Sequence, residues 1–85
     1  MIITSIHELE EGTINIFPNP SNDKLFIKTN ILNFSTEVYS LTGKLMIKAN
    51  SNLQEIDVSN FHRGIYLVKL TLGTGKIITD RIFVK

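Results

Sequence analysis

The chain has 85 residues, 42% of them apolar, with nine basic side chains against eight acidic ones, a net charge of +1 and no cysteine. That is the length of one domain. It lacks the concentrated cation of a nucleic-acid binder, the roughly 20-residue apolar run of a membrane span, and the thiols of a disulfide framework, a thiolate zinc site or a cysteine nucleophile. Size scaling predicts a folded surface of roughly 5,100 Å², enough for a core and too little for a large pocket.

Residues 2–12, IITSIHELEEG, place Ile2, Ile3, Ile6 and Leu9 at helical spacing, and Ser5 with Glu8 fits a capping box. The run is too short to hold a helix alone. Residues 1–13 are therefore expected to be linker with at most one helical turn, ended by Gly12. No basic region follows Met1, so no signal peptide is expected there, and Met1 reads as the start of a fragment.

Beyond that the apolar period is 2. Ile14 and Ile16 alternate with Asn15 until Phe17 meets Pro18 and Pro20, which fix φ, remove donors and are expected to end the strand. The Asn and Asp residues around them close turns of the Asx type. Leu25 and Ile27 share the inner face of the next strand, flanked by Lys24 and Lys28. A strand over about 36–40 turns Val38 inward. Leu41-Thr42-Gly43-Lys44 is a turn with Gly43 at positive φ, and Leu45 and Ile47 are expected to face inward after it. Asn50-Ser51-Asn52 is a further turn before Ile56 and Val58. The longest apolar strand, GIYLVKLTL over 64–72, puts Tyr66, Val68, Leu70 and Leu72 on one face. Gly73-Thr74-Gly75 makes a hairpin loop, and the last strand carries Ile78, Ile82 and Val84 inward.

Seven short strands at this spacing predict an all-β fold, an immunoglobulin-like seven-stranded antiparallel β-sandwich. Phe61-His62-Arg63-Gly64-Ile65-Tyr66 has the form of a tyrosine corner, in which the phenol hydroxyl bonds backbone a few residues upstream.

Sites of chemistry are sparse. His62 has no nucleophile elbow or triad to serve. Glu37, Glu55, Asp57 and Asp80 are scattered rather than paired across a cleft, as a glycosidase would need. Asn19, Asn22 and Asp23 offer oxygens to Ca²⁺ but carry little charge for a hard ion; they read first as turn residues. Asn33-Phe34-Ser35 is a formal glycosylation sequon. The residues point to no catalytic group, metal or other cofactor.

Four stretches stand in order: Ile16-Phe17-Pro18-Asn19-Pro20, then Val38-Tyr39-Ser40-Leu41-Thr42-Gly43-Lys44, then Ile56-Asp57-Val58-Ser59 leading through Phe61 into Gly64-Ile65-Tyr66-Leu67-Val68-Lys69, and Gly75-Lys76 with Arg81-Ile82-Phe83-Val84-Lys85. Together they closely resemble the type A C-terminal sorting domain of the type IX secretion system of Bacteroidetes, over roughly residues 14–85. The resemblance implies a domain fused to the C-terminal end of a larger cargo. That precursor passes through the periplasm and is recognised by the type IX secretion machinery. It crosses the outer membrane to the cell surface or medium, and a sortase-like protease removes the domain. Residues 1–13 would then be a linker remnant and 14–85 the sorting domain. Its partners are protein, with no nucleic acid and no small-molecule substrate.

Within that reading Lys76, Arg81, Ile82, Phe83, Val84 and Lys85 on the last strand are the expected recognition residues. Pro18, Asn19, Pro20, Gly43, Gly64 and Tyr66 are the structural motif. The last strand has no covering element after it, so its backbone edge is expected to accept a partner strand, with cations steering and Phe83 as the exposed apolar contact. The alternative is an adhesive or carbohydrate-binding sandwich, with Tyr39 and Phe26 as its aromatic candidates.

Overall fold

Apolar residues that recur every second position share one face only in a strand, and from Gly12 onward the fold follows that rule. The computed structural model describes residues 3–9, 12–19, 23–49 and 55–85. Among them it forms eight strands: β1 (Ile3–Leu9), β2 (Gly12–Asn19), β3 (Lys24–Thr29), β4 (Phe34–Ser40), β5 (Leu45–Ala49), β6 (Glu55–Asp57), β7 (Gly64–Leu72) and β8 (Ile77–Val84). They make two antiparallel sheets, ordered β1-β2-β3-β6 and β5-β4-β7-β8. The seven expected strands are present in an immunoglobulin-like sandwich, with an eighth added in front. The accessible surface, 5401 Å², is close to the size expectation.

Ile14, Ile16, Leu25, Ile27 and Ile56 of the first sheet meet Val38, Val68, Leu70, Ile82 and Val84 of the second in one core. Burial alternates strictly along β3 and β7. β2 and β8 approach each other across the gap between the sheets.

Two three-residue hairpin loops have the same build. Ser40 N–H donates to the Lys44 carbonyl at 2.9 Å, and Gly43 N–H donates to the Ser40 carbonyl at 3.0 Å. Leu72 with Lys76, and Gly75 with Leu72, repeat both bonds at 2.8 Å. In each the third loop residue turns back in the left-handed region, at φ 92° for both Gly43 and Gly75, where a Cβ would be strained.

Three expectations are corrected. Residues 3–9 are a strand and not part of a helical turn. So short a segment gains little as a helix, whereas β2 offers it a row of ladder bonds from Ile3↔Asn19 to Leu9↔Gly12. Second, Pro18 does not itself end β2, which runs to Asn19, the residue before Pro20. Its ladder with β3 ends at Phe17↔Phe26, and its ladder with β1 shifts register between Ile16 and Asn19. Pro18 occupies that irregularity, where the missing N–H costs no regular bond. Pro20 and Asn22, and the expected turn at Asn50-Ser51-Asn52, lie outside the described residues.

Third, Leu45 does not face inward. Val38 pairs with Ile47 but Tyr39 pairs with Leu45, so Met46 is the extra residue of a bulge. The bulge turns Leu45 to the outer face, 44% exposed, while Met46 and Ile47 pack against the core.

The tyrosine corner is present. Tyr66 Oη donates to the His62 carbonyl at 2.7 Å, and Phe61 lies against the Tyr66 ring with centroids 4.9 Å apart. This bond holds the loop after β6 against the start of β7. Tyr66→Phe should lose about 1 kcal/mol of stability, read as a lower urea midpoint at unchanged slope; an unchanged midpoint would show that the corner is decorative. Thr36 is the reverse case. It is completely buried, and its hydroxyl finds no hydrogen-bond partner among the described residues. Thr36→Val keeps the shape and removes that polar group, so it should raise stability by about 1 kcal/mol; a loss on thermal unfolding would contradict this account.

Candidate functional site

The six expected recognition residues lie on or beside β8, an edge strand paired with β7 alone among the described residues. Period 2 divides them. Ile82 and Val84 are 2% and 1% exposed and belong to the core. Arg81 and Phe83 face outward, Lys76 sits in the hairpin loop, and Lys85 follows the strand. Phe83 is 46% exposed, on the outward face expected of it.

The hairpin settles which backbone groups face the open edge. Leu72 and Lys76 form a hydrogen-bonded closing pair, and in an antiparallel ladder such pairs alternate with non-bonded ones. Ile77, Thr79, Arg81 and Phe83 stand opposite β7 in the non-bonded pairs. Their N–H and C=O groups therefore point away from β7, toward the edge. One of these donors is met locally, because Arg81 N–H donates to Asp80 Oδ1 at 2.9 Å. Asp80 thus places a charge at the edge and caps it at one position, a device that discourages indiscriminate strand pairing. Sequence reasoning left Asp80 among the scattered carboxylates. Its place, one residue before an edge-facing N–H, depends on the register and could not be read from spacing alone.

The structural-motif residues that are described gather at the same pole. Ser40 pairs with Tyr66 and Tyr66 with Ile82, so the end of β4, the start of β7 and the end of β8 lie side by side. Gly43 caps the turn after β4, and Gly64 opens β7 opposite Val84. Val58 N–H donates to the Asp23 carbonyl at 2.8 Å, which ties the loop between β2 and β3, the one that follows Pro18 and Asn19, to the loop before β7. Stretches spread over the whole sequence thus converge at one end of the sandwich.

Electrostatics at this end are local. Asp57 Oδ1 accepts from Ser59 Oγ at 2.6 Å and from Ser59 N–H at 2.9 Å; the hydroxyl bond, then the backbone bond, holds its carboxyl below the ordinary aspartate value. Lys24 Nζ meets Glu55 at 2.6 Å, and that bond raises the ammonium above its usual value. On the outer face of the second sheet, partial burial and a hydrogen bond to Glu37 raise the Tyr39 phenol. Tyr39 is half-buried there. Phe26, the other aromatic candidate, is exposed but stacks on Phe17 with centroids 5.7 Å apart. A depression of about 420 Å³ lies at the opposite pole, between residues 30–33 and 72–74.

An antiparallel immunoglobulin-like sandwich whose last strand is both core and open edge is a folded tag in form. The family model described as "Secretion system C-terminal sorting domain" matches residues 15–85. The chain belongs to that family: it is a C-terminal sorting domain of the type IX secretion system, a signal for export to the cell surface or beyond. It is 31% identical over 71 residues to Beta-agarase D of Zobellia galactanivorans, covering 84% of this chain and 15% of the agarase. To an ulvan lyase of Nonlabens ulvanivorans it is 24% identical over 84 residues, covering 94% of this chain and 16% of the lyase. The chain therefore spans less than a fifth of the length of these curated relatives.

The Asp57 turn carries a pH prediction. Its carboxyl is lowered in the folded state, so its contribution is present above the ordinary value of 3.8 and is lost as pH falls through the lower folded value. Asp57→Asn should flatten the acid limb of stability between about pH 5 and pH 2. An acid-unfolding curve of unchanged steepness would remove Asp57 from the account.

Proposed function

We propose that this domain is the C-terminal signal of a larger secreted protein and that the type IX secretion machinery grips it by β8. The relatives are named as enzymes, and an enzyme is the cargo we propose. The precursor travels through the periplasm, the machinery engages the folded domain, and a sortase-like protease cuts upstream of it. Residues 1–13 then belong to the connector, with Ile3–Leu9 laid against β2 as an edge strand. The observation that carries the reading is the double role of β8. Its inner face is locked in the core by Ile82 and Val84, and its outer side presents the backbone of Ile77 and Thr79 at an edge. A partner strand would pair there and would displace the Asp80 carboxylate at Arg81. Lys76, Arg81 and Lys85 supply positive charge along the approach, and Phe83 supplies apolar contact.

The experiment is a secreted reporter fused upstream of residues 1–85 in a type IX-competent host. The wild-type fusion should reach the cell surface or medium. Deletion of Ile82–Lys85 should trap it in the periplasm, but that deletion also removes core. Thr79→Pro removes one edge-facing N–H, leaves the bonds to β7 in place, and sits where an edge strand tolerates proline. It should retain the reporter in the periplasm while the purified domain still unfolds cooperatively. A folded Thr79→Pro fusion exported at the wild-type level would end the edge-pairing reading.

A further inference from the structure

The outer face of the second sheet carries a run of apolar side chains that the core does not use. Leu45, Tyr39 and Leu67 follow one another across β5, β4 and β7, and Ile65 with Phe83 forms the next row toward the pole. Leu45, Ile65 and Phe83 are 44%, 41% and 46% exposed, and Tyr39 and Leu67 are half-buried beside them. An outward-facing strand position normally goes to a polar residue, and a contiguous exposed apolar patch marks an interaction surface.

Charge indicates what covers it. The segments that converge here, residues 40–45, 61–67 and 81–85, contain Lys44, Arg63, Arg81 and Lys85 and no aspartate or glutamate. All four cations are exposed. One row further from the pole Glu37 stands opposite Lys69, 3.7 Å from its ammonium. The chain's net charge of +1 thus hides a cluster of four cations at the pole end of this apolar band, with Glu37 and Asp80 toward its other end.

We infer that this band is a second contact for the export machinery, made with a protein surface that is apolar at its centre and carries carboxylates at its rim. The inference rests on the sorting function proposed above and adds a face to its edge. A flat sheet of half-exposed side chains suits a complementary protein surface. Leu45, Ile65 and Phe83 keep more than half of their surface covered by the sheet, so they offer a broad face rather than isolated anchors. The apolar band supplies the affinity, and the cations set approach and orientation.

The test uses the reporter fusion with changes that leave β8 untouched. Leu45→Thr with Ile65→Thr keeps β-propensity and should cut export about tenfold at an unchanged thermal midpoint. If the midpoint falls, Leu45→Thr alone, at a solvent-facing position on the other edge strand, decides by the same readout. Lys44→Glu with Arg63→Glu should also cut export about tenfold, and Lys28→Glu on the opposite sheet should not. Wild-type export of the Leu45/Ile65 variant while Thr79→Pro is retained overturns the band and leaves the edge standing. Wild-type export of both overturns both. If the purified domain co-sediments with phosphatidylcholine–phosphatidylglycerol vesicles and the Leu45/Ile65 variant does not, the occupant is a lipid surface and the protein partner is wrong.

Discussion

β7 is the constraint on which the second sheet depends. Tyr66, Val68, Leu70 and Leu72 point into the core at every second position, and the backbone is bonded to β4 on one side and β8 on the other. A one-residue slip would turn all four outward and bring Ile65, Leu67, Lys69 and Thr71 in. That penalty fixes the register of both neighbours. It fixes with it which atoms of β8 face the edge and which side chains share the outer face. The proposed recognition surface is in this sense a by-product of core packing: once the inner faces are committed, the outer faces and the β8 edge follow.

The pole where the motif stretches meet shows how little chemistry a tag requires. A phenol hydroxyl on a carbonyl, a carboxylate closing a short turn, one backbone bond between loops and the glycine of the Gly43 hairpin keep the loops in place. The Tyr66 hydrogen bond is worth about 1 kcal/mol, a meaningful share of the roughly 5–15 kcal/mol that holds a domain together. None of them creates a cleft. The product is a firm outline, which is what a domain recognised by shape has to present. The relatives supply a consistent context, since the same short module accompanies much longer enzymes.

Asp80 and the β1 strand both bear on edges. A sandwich open at its sides offers unpaired backbone to any passing strand. β1 covers the outer edge of β2, and Asp80 caps one donor of β8. On β8 the Asp80 carboxylate caps the Arg81 donor, whereas β2 is covered by a whole strand. The edge of the first sheet is thereby moved from β2 to β1.

Much of this was legible in the order of residues. Alternation placed the strands from Gly12 to Val84, because a pleated backbone forces period 2 on any half-buried segment. The glycines of the hairpins and Tyr66 after Gly64 announced their conformations, because few residue types satisfy them. The ordered motifs identified the family. Three features depended on tertiary context. Residues 3–9 had too weak a pattern to choose between helix and strand until β2 offered a ladder. Leu45 faced outward because of a bulge that no local signal marks. Asp80 met the Arg81 N–H only because the register put that donor on the open side. Local sequence determined which segments are strands and which face of each is apolar, since those are properties of single residues and their neighbours. The tertiary structure alone decided which edges are covered, which residues form a common outer face and where the cations collect, since those depend on how strands distant in sequence come to lie side by side.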